Sequence, residues 1–267
     1  MKLKDMFDLH NKVAIVTGAH LWLGYDMACA LAEFGCSIVI TSRDLERAQA
    51  ACQKISEEYG VDTLALVMDQ CHINQVEKMA KDAFSWKGHI DILINNAGGG
   101  SGQSTGNLFE RSIDDIINLI NTNLLGTLFC CREVGKYMIQ QKSGKIINSG
   151  SIAGIVGRDR RMYHISDKME QPVDYAASKA GIIGLSRDLA GFMAPYGINV
   201  NCISPGGFDK GDLPEKFVEE YSDATMSGRM GKMGTDIKGA ALFLSSSASD
   251  YVNGHNLVVD GGFSCWK

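Results

Sequence analysis

Short apolar runs rich in β-branched residues alternate along the chain with longer stretches whose apolar positions recur every three or four residues. The short runs predict strands over 12–17, 37–41, 63–68, 91–95, 145–148, 199–203 and 256–259. The longer ones predict helices over 23–34, 44–59, 73–86, 112–141, 175–194 and 235–246, the second of them capped by Asp44. The strand runs show little polar alternation, so both faces are expected to be covered. That pattern, with a helix between successive strands, belongs to a parallel sheet with helices on each side. No linker, repeat or low-complexity tract interrupts it, and residues 1–267 read as a single doubly wound α/β domain.

Composition agrees with a globular chain, at 45% hydrophobic and 21% charged residues over 267 positions, and argues against disorder or a collagen-like repeat. Thirty glycines in 267 residues is about 11%, against a usual figure near 7%. The excess asks where the backbone turns tightly or approaches a ligand. A net charge of −5 with no basic block gives no footprint for nucleic acid. The eight cysteines form no CxxC pair and the six histidines are scattered, so no metal site and no disulfide framework is expected. Without an apolar N-terminal segment or a spanning-length apolar run, a cytoplasmic protein that does not enter membranes is expected.

In a doubly wound sheet, ligands bind beyond the carboxyl ends of the strands, so the chemistry is sought in the strand exits. After the first strand, Thr17-Gly18-Ala19-His20-Leu21-Trp22-Leu23-Gly24 opens a helix, where free N–H groups and the helix dipole favour a phosphate. Gly18 making the turn and Gly24 admitting close helix packing is the competing, purely structural account. Ser42 and Arg43 follow the second strand. A carboxylate there suits an adenosine ribose and an arginine suits a 2′-phosphate, the alternative being a solvated arginine before a helix cap. After the fourth strand, Asn95-Asn96-Ala97-Gly98-Gly99-Gly100-Ser101-Gly102 would let backbone lie against a flat ligand, or form a flexible surface loop.

Tyr175 alone of the eight tyrosines has Lys at i+4, which puts a phenol and an ammonium on one helix face. The cation at Lys179 is expected to lower the phenol's pKa from near ~10 toward an acid/base working range. Ser149 and Ser151 lie just past the fifth strand, where either hydroxyl suits a substrate oxygen or a turn. Asn123, a mediocre helix former inside the predicted long helix, points to a polar or a backbone task.

Taken in order, these pieces resemble the short-chain dehydrogenase/reductase family in its compact form, over essentially the whole chain. The matching motifs are TGxxx(x)xG at 17–24, Asp69 after the third strand, NNAG at 95–98, an Asn in the long helix, Ser before YxxxK, Pro205-Gly206, and the Val259-Asp260-Gly261-Gly262 ending. The resemblance implies a Rossmann-type domain with a seven-stranded parallel sheet. It also implies an oxidoreductase that interconverts a secondary alcohol and a ketone, and a homo-oligomer, tetramer or dimer. Tyr175 is implied as proton donor and acceptor, Lys179 as its pKa-lowering neighbour and ribose ligand, Ser151 as the orienting hydroxyl and Asn123 as support for a proton relay. Gly18, Leu23, Asp69, Asn96, Ala97, Gly98, Pro205 and Gly206 would line the cofactor together with Tyr175 and Lys179. Ser42 and Arg43, standing where NAD-preferring members carry an acid, favour NADP(H) over NAD(H).

Three departures stand out. Trp22 occupies the middle glycine of the first motif with the spacing to Gly24 intact, and Lys210 stands where PGxxxT has its Thr. About ten extra residues separate Ser151 from Tyr175, the insertion falling at about 158–171 on the substrate side. Its Arg158, Arg160 and Arg161 suit an acidic or strongly hydroxylated substrate, against a solvated loop or a subunit contact. With a looser likeness to the gluconate 5-dehydrogenase-like branch, a sugar, sugar acid or polyol is the favoured substrate. A hydroxysteroid or 3-oxoacyl thioester is the alternative, and a catalytically silent cofactor-binding or structural protein is the alternative of another class. Trp22, Phe208 and Phe217 suit either an apolar pocket or the core.

Overall fold

The computed structural model describes residues 2–100 and 104–265. Ser101 and Gly102 of the glycine run, and Trp266 of the C-terminal tail, lie outside them. After the short helix α1 (Leu3–Met6) come β1 (Val13–Thr17), α2 (Trp22–Glu33), β2 (Ser37–Ser42), α3 (Leu45–Tyr59), β3 (Thr63–Val67), α4 (Ile73–Lys87) and β4 (Ile92–Asn95). The chain continues through α5 (Ile113–Ile120), α6 (Gly126–Gln141), β5 (Gly144–Ser149), α7 (Arg161–Ile165), α8 (Val173–Met193) and β6 (Ile198–Pro205). It closes with β7 (Phe208–Asp209), α9 (Glu215–Asp223), β8 (Gly231–Lys232), α10 (Lys238–Ser245) and β9 (Asn256–Val259).

Seven strands form one parallel sheet in the order β3-β2-β1-β4-β5-β6-β9, a Rossmann-like α/β arrangement, with β7 and β8 paired separately. Every residue of β1 and β4 is buried, as unalternated apolar runs require when both sheet faces are covered. On one face Met27, Leu31, Ile38, Ile40 and Leu244 pack together. On the other, Ile15, Leu93, Met79, Val134, Met138 and Ile146 do so. Six of the eight free cysteines are buried. Asp44 caps α3 as its position predicts, accepting from the N–H groups of Glu46 (3.0 Å) and Arg47 (3.3 Å), and Gly60 ends that helix in the left-handed region.

Two elements differ from the periodicity. The predicted helix over 112–141 is α5 and α6 joined by a π-helical turn, Asn121–Leu125, because one inserted residue turns Asn123 inward; apolar spacing cannot reveal such a bulge. The insertion contains α7, whose Met162 and Tyr163 are buried against Phe217 and Tyr221 of α9. It is thus neither a plain solvated loop nor remote from the site.

Between β1 and β4 the strand order reverses, so the segments leaving those strands diverge and open a crevice at the sheet's carboxyl edge. Gly18, with φ +64°, sits in that crevice, where an added Cβ would lie 3.0 Å from the Cα of Ala97. Glycine is needed there for conformation and for space alike. Thr17 staples the two exits, its hydroxyl accepting from the N–H groups of Asn96 (3.0 Å) and Ala97 (2.9 Å), while the Asn96 amide donates back to the Thr17 carbonyl (3.1 Å).

Candidate active site

A cleft of about 830 Å³ runs along the carboxyl edge of the sheet, within the usual size range of ligand pockets. The exit turns bring to it Gly18 and Leu23 after β1, Ser42 and Arg43 after β2, and Asp69 after β3. Asn96, Ala97 and Gly98 reach it after β4, Ser151 after β5, Tyr175 and Lys179 from α8, and Pro205 and Gly206 from β6. Asn123 does not line it directly. Its amide brackets the wall instead, accepting from the Gly99 N–H and donating to the Gly99 carbonyl, both at 2.9 Å. With 1% exposure Asn123 is sealed from solvent, and its own carbonyl accepts from the Thr127 hydroxyl at 2.7 Å.

Within the cleft the Ser151 hydroxyl, which accepts from the Ala153 N–H at 3.1 Å, lies near the Tyr175 phenol. Ser149 contributes backbone, its carbonyl accepting from Lys179 Nζ at 2.6 Å. Lys179 is 5% exposed, with its ammonium 5.8 Å from the Tyr175 ring centre. Burial brings the lysine's pKa down to about 8. The same desolvation raises the Tyr175 phenol above its ordinary value, opposed by the nearby Ser151 hydroxyl and then by the Arg158 charge. The expectation that Lys179 leaves this phenol with a lowered pKa is therefore corrected. Burial outweighs the stabilising contacts, and the cation that opposes it belongs to the insertion.

The three insertion arginines separate. Arg160 pairs with Glu170, and Arg161 lies against Asp159 at 2.9 Å on the surface. Arg158 alone of the three lines the cleft, its guanidinium carbon 6.0 Å from the Tyr175 ring centre and one nitrogen donating to the Pro172 carbonyl at 2.8 Å. Met162, Tyr163, Phe217, Tyr221, Met230 and Phe263 supply an apolar wall on this side. Trp22, Phe208 and Phe217 all line the cleft, and Phe217 also stacks at a tilt against Tyr163 and Tyr221.

Several participants escape sequence reasoning. Gln70 ties the β3 exit to the β4 exit and to the π-helical turn by donating to the carbonyls of Ala97 (3.0 Å) and Thr122 (2.6 Å). His20 lines the cleft and has a buried Nδ1 without a hydrogen-bond partner among the described residues. Burial, with Arg47 adding to it, depresses the pKa of that imidazole. Arg111 and Asp174 form a buried ion pair at 3.1 Å, beside Tyr175 in sequence. No periodicity marks these residues; only the adjacency of Gln70 to Asp69 and of Asp174 to Tyr175 hints at them.

The N-terminus of α2 fits a dinucleotide phosphate. Leu21, its N-cap, provides no side-chain cap, so the first N–H groups of a twelve-residue helix face the cleft without that partner. Arg43 stands at the β2 exit, on the same side as His20.

Comparison with known proteins matches this architecture. The chain is 34% identical over 262 residues to 2-dehydro-3-deoxy-D-gluconate 5-dehydrogenase of Escherichia coli, covering 96% of this chain and 97% of that one. It is 32% identical over 271 residues to an NADP-dependent mannitol dehydrogenase of Alternaria alternata, covering 98% and 96%. Among solved structures, a gluconate 5-dehydrogenase from Burkholderia cenocepacia, crystallised with NADP and tartrate, superposes with a TM-score of 0.88 at 32% identity, covering 99% of each chain. Residues 12–221 match the short chain dehydrogenase family model, and the chain belongs to that family, as an oxidoreductase acting on CH–OH groups.

Proposed function

We propose that this protein uses NADP(H) to interconvert a secondary alcohol and a ketone on a sugar, sugar acid or polyol, with the sugar acid favoured. The observation that carries the reading is the group around Tyr175: a phenol near the Ser151 hydroxyl, with the Lys179 ammonium and the Arg158 guanidinium 5.8 and 6.0 Å from its ring centre. Tyr175 gives its proton to the carbonyl oxygen in reduction and takes one from the hydroxyl in oxidation. A phenol with a raised pKa is fully protonated near neutrality, which suits the reducing direction. Ser151 orients the reacting oxygen, and Lys179, held by the Ser149 carbonyl, binds the nicotinamide ribose and keeps a positive charge near the phenol. Asn123 braces the Gly99 backbone, so that the wall facing the reacting carbon stays fixed. NADP(H), when bound, supplies or accepts the hydride.

Uncapped N–H groups at α2 support binding of the pyrophosphate, and Arg43 beside Ser42 supports the 2′-phosphate, with NAD(H) the weaker partner. Arg158 supports a substrate carboxylate, which a guanidinium binds by paired hydrogen bonds. The aromatic wall of Tyr163, Phe217, Tyr221 and Phe263 favours a second reading, an apolar ketone such as a steroid or 3-oxoacyl thioester. A row of exposed apolar residues, Ile113 and Ile117 on α5 and Leu128 on α6, supports assembly as a homo-oligomer.

The test is NADPH oxidation by purified protein against a panel of keto-acids, ketoses, steroids and acyl ketones. Keto-acids are expected to turn over fastest. Arg158→Ala is expected to raise KM for the acid by about tenfold or more, the loss of a charge-assisted hydrogen bond of roughly 1.5–3 kcal/mol. Tyr175→Phe is expected to abolish turnover while the protein stays folded. An unchanged KM in Arg158→Ala, or a panel in which only apolar ketones react, overturns the sugar-acid reading.

A further inference from the structure

Two residues that depart from the family pattern at separate places in the chain meet in space. Trp22 replaces the glycine of the β1 exit turn, and Lys210 stands where a threonine is expected after β6. Lys210 Nζ lies 4.3 Å from the centre of the Trp22 ring, well inside the range of a cation–π contact.

Trp22 holds its position at a cost. Its φ is +56°, the left-handed region that glycine enters freely and a bulky aromatic residue rarely adopts. Glycine in this place would carry no such strain. Core packing does not compensate it, because the side chain is 43% exposed and belongs to neither large apolar cluster among the described residues. The ring lines the cleft instead. A strained conformation at a ligand site is a reason to look for a function that requires it.

Lys210 is presented as deliberately. The Asp209 side chain accepts from the Gly211 N–H at 2.8 Å and Gly211 adopts φ +80°, so Lys210 stands at the apex of a tight turn. Pairing of β7 with β8 and burial of Phe208 anchor the base of that turn. β1 and β6 are separated in the sheet by β4 and β5, so the contact spans the exits of both intervening strands and joins the two walls of the cleft. Trp22 is also the first residue of α2, which brings the ammonium to the helix end where an anion is drawn.

We propose that Trp22 and Lys210 form a clasp across the cofactor cleft, which a nicotinamide dinucleotide parts to enter and leave, so that the pair governs the rate of cofactor release. The proposal rests on the reading of this cleft as the NADP(H) site. A contact of this kind, partly exposed, is worth about 0.5–2 kcal/mol, which corresponds to roughly a twofold to thirtyfold change in a rate.

The experiment is stopped-flow release of NADPH, followed by the fluorescence of the nucleotide itself, which does not depend on Trp22. It compares the unmodified protein with W22G, W22F, K210M, K210R and the W22G/K210M double variant, each checked for fold by circular dichroism. W22G relieves the backbone strain and K210M lies on an exposed turn, so both are expected to fold. Each is expected to speed both release and entry by roughly twofold to thirtyfold, with W22F and K210R keeping most of the slow release. The double variant is expected to be no faster than the faster single, because the two residues act through one contact. Release rates unchanged in both single variants, or additive effects in the double, overturn the clasp. Faster entry with unchanged release identifies a static obstruction and overturns it too. Failure of the protein to bind either NADPH or NADH at all overturns the cofactor reading itself along with the clasp, whereas normal binding with insensitive release overturns the clasp alone.

Discussion

Lys179 shows how one residue carries opposing demands. Its pKa is about 8 in the folded protein against 10.5 ordinarily, because burial disfavours the ammonium. Between those two values the unfolded chain binds more protons than the native state. Stability therefore rises with pH through that window, and below about pH 8 the native state bears the full cost of the buried charge. Lys179→Met removes that cost and gives up the hydrogen bond to the Ser149 carbonyl, itself worth about 1 kcal/mol, and the ammonium's contact with the Tyr175 ring. At pH 7 the variant is expected to be inactive yet more stable by about 1–2 kcal/mol in urea unfolding. The gain is expected to shrink as pH rises from 8 toward 10. A gain that stays constant across that range, or a loss at pH 7, would show that burial is not what depresses this lysine. The spacing of Tyr175 and Lys179 was legible in the sequence because a helix turn is a local property. The sign of the phenol's pKa shift was not, because it depends on how much water the surrounding walls exclude.

Among the elements, α8 owes its placement to a contact far away in sequence. Asp174 in its first turn pairs with Arg111 at 3.1 Å, and the same guanidinium donates to the Thr105 and Asp115 carbonyls at 3.1 and 3.3 Å. The glycine-run exit, α5 and the helix carrying Tyr175 are thereby joined at one buried group. Removing one partner leaves a buried charge uncompensated, so Arg111→Met alone is expected to cost about 3–5 kcal/mol. Replacing both, as Arg111→Met with Asp174→Leu, is expected to cost far less, and equal losses in the two variants would sink this account. The insertion helix α7 is likewise held from outside. Tyr163 is buried against Phe217, with ring centres 5.1 Å apart, and Tyr163→Ala is expected to destabilise by about 3 kcal/mol or more if that segment unfolds with the rest. Strands were readable because an unalternated apolar run is a sheet signature by itself. The π turn at Asn121–Leu125 and the docking of α7 were not, since one inserted residue leaves the apolar period nearly intact and α7 is ordered by α9.

Across the whole molecule, the reversal of strand order between β1 and β4 decides where chemistry is possible. Residues as far apart in sequence as Gly18 and Lys210 face one cleft because every strand of the parallel sheet ends on the same edge. The apolar row on α5 and α6 belongs to this scale as well. Ile113→Glu with Ile117→Glu is expected to convert a homo-oligomer to a smaller species in light scattering after size exclusion, with the fold retained. An unmodified protein that runs as a monomer would defeat that expectation.

The sequence by itself determined the alternation of strands and helices, the parallel sheet and the positions of the exit turns. These follow from local periodicity and from backbone demands that each residue meets with its near neighbours. It also marked Trp22, Lys210 and the insertion as departures, without saying what they do. Only the tertiary structure decided that Trp22 and Lys210 touch, that Arg158 rather than Arg160 or Arg161 faces the cleft, and that burial overrides the cations around Tyr175. Each of those outcomes depends on groups brought together from distant parts of the chain and on the solvent they exclude, and no local pattern encodes either.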